Sequence, residues 1–293
     1  MNCKSKIRKN SQRRMFWLRF KKNKLAVVGL IFITLILLLI IVGSILGDYS
    51  YSTTQDIRMR YVYPSLQNGL NGLCGYDALG RSVFWRLVYG GRITLVAALS
   101  VVILAMFIGG AIGAICGFLG GAVDMMVMRI MDLLQCIPMV LMAMALVAMM
   151  GISITNLVIA LVFTSVPSIA RMLRASVLTV RGQDYIEASR ASGASTLRII
   201  FTHALPNALG PVIIMFTSQI AGRILSISSL SFIGLGVQLP TPEWGAMISE
   251  AKSVLRDFPY LTLIPGFMTV LSVLSVSLIG DGIRDAADPK LRK

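Results

Sequence analysis

The residues with chemical reach in this 293-residue sequence are few and poorly grouped for catalysis. Its single histidine, His203, stands in the stretch His203-Ala204-Leu205-Pro206-Asn207, and no nucleophile motif accompanies it. The four cysteines, Cys3, Cys74, Cys116 and Cys136, form no C-x-x-C pair. Cys116 and Cys136 lie in apolar runs and Cys3 in a basic tail, so all four read as small packing residues, with neither a zinc site nor a disulfide framework expected. No G-x-x-x-x-G-K-[ST] occurs to cradle ATP phosphates, and no G-x-S-x-G to carry a hydrolase serine. What the residue types do offer is a recognition element. Asp184-Tyr185-Ile186-Glu187-Ala188-Ser189-Arg190-Ala191-Ser192-Gly193-Ala194-Ser195 reads as a short amphipathic helix and a glycine break at Gly193. A second helix should follow and end before Pro206. Such a helix-break-helix presents a compact knob to a soluble partner.

The rest of the chain must position that knob, and its composition says where. Hydrophobic residues make up 56% and charged residues only 14%, against about 25% charged in an ordinary soluble domain. That excludes a soluble enzyme, and the apolar content excludes disorder. A polytopic, all-α membrane protein remains. About 20 apolar residues cross a bilayer core as a helix. Leu25–Leu46 is one uncharged run of that length, and Ile93–Val123 holds a second span with a glycine-rich exit. A straight helix over 133–170 would reach roughly 57 Å, so it is read as spans three and four, reversing near Gly151-Ile152-Ser153. Spans five and six are placed at about Leu205–Leu225 and Leu261–Ile279. The first run is too long for a signal-peptide core and is read as an uncleaved anchor.

Residues 1–24 carry Lys4, Lys6, Arg8, Lys9, Arg13, Arg14, Arg19, Lys21, Lys22 and Lys24 with no acid. An excess of Lys and Arg marks the cytoplasmic side. Six spans then return the C-terminus there. The loop between spans four and five, with Arg171, Arg174, Arg181, Arg190 and Arg198, is cytoplasmic too. The expected organisation is a basic tail 1–24, a first anchor 25–47, an external loop 48–92, a transmembrane domain 93–283 with the cytoplasmic loop at 171–204, and a tail 284–293. A basic run beside a first span also holds anionic lipid. Phe16, Trp17 and Phe20 fit the membrane interface, so lipid and not nucleic acid is the expected partner of the tail.

Within the spans, Gly109, Gly113, Gly117 and Gly121 recur every four residues and should form one smooth helix face. That face suits either a contact that slides or static close packing. Asp124, Arg129 and Asp132 cluster at the start of span three, where Arg129 and Asp132 can share a face. Arg223 falls near the outer end of span five, where it can snorkel. None of these suggests a proton relay.

The segment around Glu187 resembles the EAA loop of binding-protein-dependent ABC importer permeases: Glu-Ala-Ala, then Gly, then Leu-Pro. Three more stretches resemble the dipeptide/oligopeptide/nickel subfamily, and in particular its C-type subunit. These are Gly75-Tyr76-Asp77-Ala78-Leu79-Gly80-Arg81-Ser82; Leu230-Ser231-Phe232-Ile233-Gly234-Leu235-Gly236-Val237-Gln238 with Thr241-Pro242-Glu243-Trp244-Gly245; and Gly280-Asp281-Gly282-Ile283-Arg284-Asp285 with Asp288-Pro289. The chain departs from the pattern at Tyr76 for Thr, Ser82 for Asp, Ser189 for the second Ala, and Ile227 for an acidic residue.

The resemblance implies a type I ABC importer permease fold with six transmembrane helices in the cell membrane. It implies a second, homologous permease, two ATP-binding subunits that hold ATP and Mg, and an extracytoplasmic solute-binding protein. This chain would bind no cofactor or metal and would not be an enzyme. The ATPase-coupling residues would be Asp184, Tyr185, Glu187, Ala188, Ser189, Gly193, Ala194, Leu205 and Pro206. Asp77, Leu79, Gly80 and Arg81 would form a motif near the external face. The implied cargo is a dipeptide or oligopeptide, with nickel or a nickel chelate as the alternative. A stand-alone secondary transporter or channel and an intramembrane hydrolase are the competing classes.

Overall fold

The computed structural model describes residues 12–287, and every regular element in it is helical. Cys3, Lys4, Lys6, Arg8, Lys9, Asp288, Pro289, Lys290, Arg292 and Lys293 lie outside the described residues. The helices are α1 Gln12–Lys22, α2 Lys24–Leu46, α3 Ser50–Thr53, α4 Val83–Leu119, α5 Gly121–Gln135, α6 Met139–Met150, α7 Ile154–Arg181, α8 Asp184–Ala191, α9 Thr196–Ile199, α10 Leu205–Phe232, α11 Trp244–Ala251 and α12 Tyr260–Ala287. Five helices are long and apolar enough to cross a membrane. The pair α5 and α6, bent by 88°, brings the number to six if it counts as one span. Gln135-Cys136-Ile137-Pro138 is the break, since Pro138 cannot donate to the preceding turn.

Several boundaries differ from the expectation. Helix α4 begins at Val83, well before residue 93, and takes in Arg86 and Arg92. Arg86 enters a span because carboxylates neutralise it, as shown below. The glycine stripe loses its last member. Gly120 and Gly121 both have positive φ (67° and 63°), which a right-handed helix cannot continue, so α4 ends before them and Gly121 opens α5. Pro206 does not end a helix either. It stands in the first turn of α10, and residues Ile200–Ala204 form a π-type turn that joins α9 to α10, with the Leu205 amide reaching the Ile200 carbonyl. The wider turn absorbs the proline that would break a regular helix.

The remaining glycines explain the central packing. A Cβ on Gly109 would lie 2.8 Å from the Val166 carbonyl oxygen, one on Gly117 2.8 Å from the Arg174 oxygen, and one on Gly113 would run into the Ala170 oxygen. Steps of four on α4 thus meet steps of four on α7, and the two backbones touch. This is close packing, fixed by backbone on both sides. Around it Ala98, Val101, Ala105, Leu157, Leu161, Ile169, Ile224 and Ile227 form the main apolar core. Helix α12 closes onto α2 in the same way. A Cβ on Gly282 would overlap the Ala26 methyl and crowd Phe20, and Gly280 backs onto Thr217 of α10. Asp285 accepts a hydrogen bond from Asn23 Nδ2 at 3.0 Å.

The long helices alternate, which gives the bundle two distinct ends. One, the knob end, holds α1, α8, α9, the C-termini of α4, α7 and α12, and the N-terminus of α10. The other, the loop end, holds residues 47–82, the α6–α7 turn at Gly151, and residues 233–259.

Candidate functional site

At the knob end, α8 stops where the sequence predicts, and the reason is visible atom by atom. Gly193 has φ +80°. Its amide donates to the Arg190 carbonyl at 3.0 Å, and the Ala194 amide donates to the Ser189 carbonyl at 3.2 Å. These two bonds define a Schellman cap, which asks for glycine at that position. Asp184 and Glu187 occupy the first turn of α8 and Arg190 the last, the arrangement that the helix dipole favours. Asp184, Tyr185, Glu187, Ala188 and Gly193 are exposed, while Ser189, Ala194 and Leu205 are half-buried and Pro206 is exposed.

Two side chains fasten the knob. Ile186 and Ile199 are fully buried with Ile200 and Ala204 against Ala114 and Phe118 of α4 and Leu173 and Val177 of α7. The Arg190 guanidinium lies over the Phe118 ring, 5.9 Å from its centroid. The seat of the knob is therefore the same helix pair that Gly109, Gly113 and Gly117 lock together. Two carboxylates of α5 also reach α7. Asp124 is held by Arg174, and Asp132 turns to Arg171 rather than to Arg129.

At the loop end, Asp77, Leu79, Gly80 and Arg81 do form one unit. Asp77 Oδ1 accepts from the amides of Leu79 (2.9 Å) and Arg81 (3.0 Å), and its Oδ2 accepts from Arg81 Nε at 2.7 Å. Gly80, at φ +73°, presses against the Asp56 backbone, where no side chain fits. Sequence reasoning missed the other half of the cluster. Arg86 bridges Asp77 and Glu250, with Nη2 2.7 Å from Glu250 Oε1, and Arg81 Nη2 also contacts Glu250. Both arginine side chains are 1% exposed. Two cations and two carboxylates balance, and they tie the loop, α4 and α11 together.

The Pro242-Glu243-Trp244-Gly245 segment completes this end. Glu243 caps α11 through a bond from the Ala246 amide at 2.9 Å, and its other oxygen meets the Thr94 hydroxyl at 2.9 Å. Burial pushes the Glu243 carboxyl up from its ordinary value, against those hydrogen bonds. Thr94 also donates to the Gly90 carbonyl at 3.0 Å. A hydroxyl has one proton to give, so a protonated Glu243 satisfies all three groups. Trp244, fully buried, donates from Nε1 to the Leu87 carbonyl and lies on Gly91, and Gly245 abuts the Ser228 backbone.

Arg223 does not snorkel. It is 8% exposed, with Nη2 2.9 Å from Gln219 Oε1 and Nη1 2.8 Å from Met139 Sδ, at the break between α5 and α6. His203 falls in the π-type turn and, among the described residues, no three His, Cys, Asp or Glu gather as metal ligands.

Comparison with known proteins agrees with this architecture. Residues 109–293 match the binding-protein-dependent transport system inner membrane component, and residues 11–65 match the N-terminal transmembrane domain of oligopeptide transport permease C. A dipeptide transport system permease protein, DppC, of Alkalihalophilus pseudofirmus is 40% identical over 94% of this chain and 88% of its own. The di/tripeptide transport system permease protein DppC of Pseudomonas aeruginosa is 39% identical over 94% and 92%. The glutathione transport system permease protein GsiD of Escherichia coli is 38% identical over 94% and 90%. Among solved structures, an inward-facing MetNI methionine ABC transporter superposes with a TM-score of 0.58 over 70% of this chain and 97% of that one, at 20% identity, a likeness of fold. With five to six candidate spans, a type I fold and relatives of this closeness over nearly its whole length, the chain belongs to the inner membrane components of binding-protein-dependent ABC importers, in the peptide permease subfamily.

Proposed function

We propose that the chain is the translocation subunit of an ATP-driven importer of dipeptides and short oligopeptides. It works beside a second, homologous permease. Two ATP-binding subunits dock below it and hold the ATP and Mg²⁺, since this chain has no ATPase site of its own. An extracytoplasmic solute-binding protein delivers the peptide to the loop end. The knob end and both termini face the cytoplasm, a reading supported by the run of lysines and arginines in residues 1–24. The peptide cargo is supported by relatives named for dipeptides, di/tripeptides and glutathione, itself a tripeptide. No observation favours nickel.

The observation that carries the reading is the exposed α8–α9 knob, anchored by Ile186 and Ile199 on α4 and α7. Closure of the ATP-binding subunits pushes on Tyr185, Glu187 and Ala188. The Schellman cap at Gly193 keeps α8 from unravelling under that push, and the glycine-locked pair moves as one body. Asp184, Ser189, Ala194, Leu205 and Pro206 shape the knob and its return into α10. Bistable packing of this kind turns a small displacement at one end into a change of access.

The test is the assembled importer carrying Glu187→Arg or Gly193→Pro. Both variants should insert and assemble, yet lose the stimulation of ATP hydrolysis by loaded binding protein and the uptake of labelled dipeptide. Full stimulation in either variant would refute the docking role.

A further inference from the structure

Arg223 stands near the middle of the apolar stretch Val212–Phe232, and among the described residues no carboxylate lies within ion-pair distance of it. The other buried arginines, Arg81 and Arg86, each meet two, Asp77 and Glu250. An ionisable side chain at that depth is rare and marks a polar pathway or a ligand. Its surroundings are built to match. Met139 opens α6 just after the 88° bend, and broken helices of this kind supply cargo sites in secondary transporters. On α10, Ser218, Gly222 and Ser229 are exposed, with Gln219 and Ser226 half-exposed beside them. This polar strip leads from a cleft of about 430 Å³ at the knob end, lined by Met172, Met215, Ser218, Ser277, Asp281 and Arg284.

On the reading of this chain as a peptide importer, we propose that Arg223 receives the carboxylate of the peptide as it passes the bend between α5 and α6. Gln219 fixes one arm of the guanidinium. The other arm rests on a thioether, a neutral and weak acceptor, which a carboxylate displaces with gain. The planar fork of arginine suits a carboxylate's two oxygens. A carboxylate from the chain itself would fill the site for good, as Glu250 fills Arg86. Leaving the position open lets the cargo bind and then leave, which conduction demands.

The experiment uses the complete importer in vesicles, with binding protein saturated by a labelled dipeptide or by the same dipeptide as its C-terminal amide. Wild type should move the free acid at least about tenfold faster than the amide, equivalent to ~1.4 kcal/mol. Arg223→Gln should abolish the preference by slowing the acid without slowing the amide, and Arg223→Lys should keep most of the preference. Equal slowing of both peptides, or an unchanged ratio in Arg223→Gln, overturns the proposal. Dissociation of both variant complexes also overturns it, because Arg223 would then hold the assembly together instead of receiving the cargo. A wild type that carries both peptides with no preference overturns the role of Arg223 alone, whereas one that carries neither peptide defeats the peptide-importer reading itself.

Discussion

At the loop end Asp77, Arg81 and Arg86 are sunk into the protein and paired with one another and with half-buried Glu250, whereas at the knob end Asp184, Glu187 and Arg190 stand exposed on a helix held by two isoleucines. The first arrangement resists deformation. Each charge there is compensated only while loop, α4 and α11 keep their places. The second is a handle: its charges cost nothing when they move, and only its root is buried. The difference separates a fixed frame from the end that, on the proposed function, takes an applied force.

The largest effect should come from breaking the frame. Arg86→Met leaves Glu250 and Asp77 short of a partner in a buried site, and breaking such a pair costs about 3–5 kcal/mol. Thermal unfolding in detergent should shift down strongly. Retention of the wild-type midpoint would mean the cluster is not the brace described here. Next in size is the bond between frame and handle. Gly113→Ala forces a methyl into the Ala170 carbonyl, a backbone atom that cannot step aside, at about 1–3 kcal/mol for overpacking. Gly110→Ala is the control. Its methyl would lie 3.4 Å from the flexible Leu173 side chain, so its midpoint should stay near wild type.

Much of this was legible from residue order. Spans, their alternation, the Gly193 break and the Asp77–Arg81 unit are local, set by hydropathy, a glycine at positive φ and bonds within four residues. What stayed hidden is long-range. Uncharged runs located the spans, so Arg86 and Arg92 pushed the expected start of α4 too far along. Only the pairing of Arg86 with Glu250, 164 residues away, reveals why a cation is admitted there. Gly121 continued the four-residue rhythm in sequence, but two consecutive left-handed glycines end the helix before it. Sequence spacing pairs Asp132 with the near Arg129, whereas α7 brings Arg171 to it in space.

Glu243 allows a pH test of the same frame. Its carboxyl titrates above the ordinary value because it is buried. As pH falls from neutral through that raised value, the folded protein takes up a proton that the unfolded chain does not yet bind. Stability should therefore rise on acidification until the ordinary carboxyl value is reached, where the gain ends. Glu243→Gln mimics the protonated form. Its carbonyl can accept from Ala246 and its amide can donate to Thr94. The variant should equal or exceed wild type in thermal midpoint at neutral pH, and the advantage should vanish on acidification. A midpoint difference independent of pH would show that Glu243 is not the titrating group.

The smallest stability effect should be at the handle, and its smallness is the sharpest form of the comparison. Glu187→Arg reverses an exposed charge in the first turn of α8, which touches the helix dipole alone and costs a few tenths of a kcal/mol. Its unfolding midpoint should lie within error of wild type, although the same variant is expected to uncouple ATP hydrolysis. Ile186→Ala works the other way: it removes a fully buried side chain from the knob's root and should cost about 2–5 kcal/mol of stability, with a lower midpoint. If Glu187→Arg destabilised as much as Ile186→Ala, the knob would be part of the frame, and the division of the molecule into a rigid end and a driven end would fail.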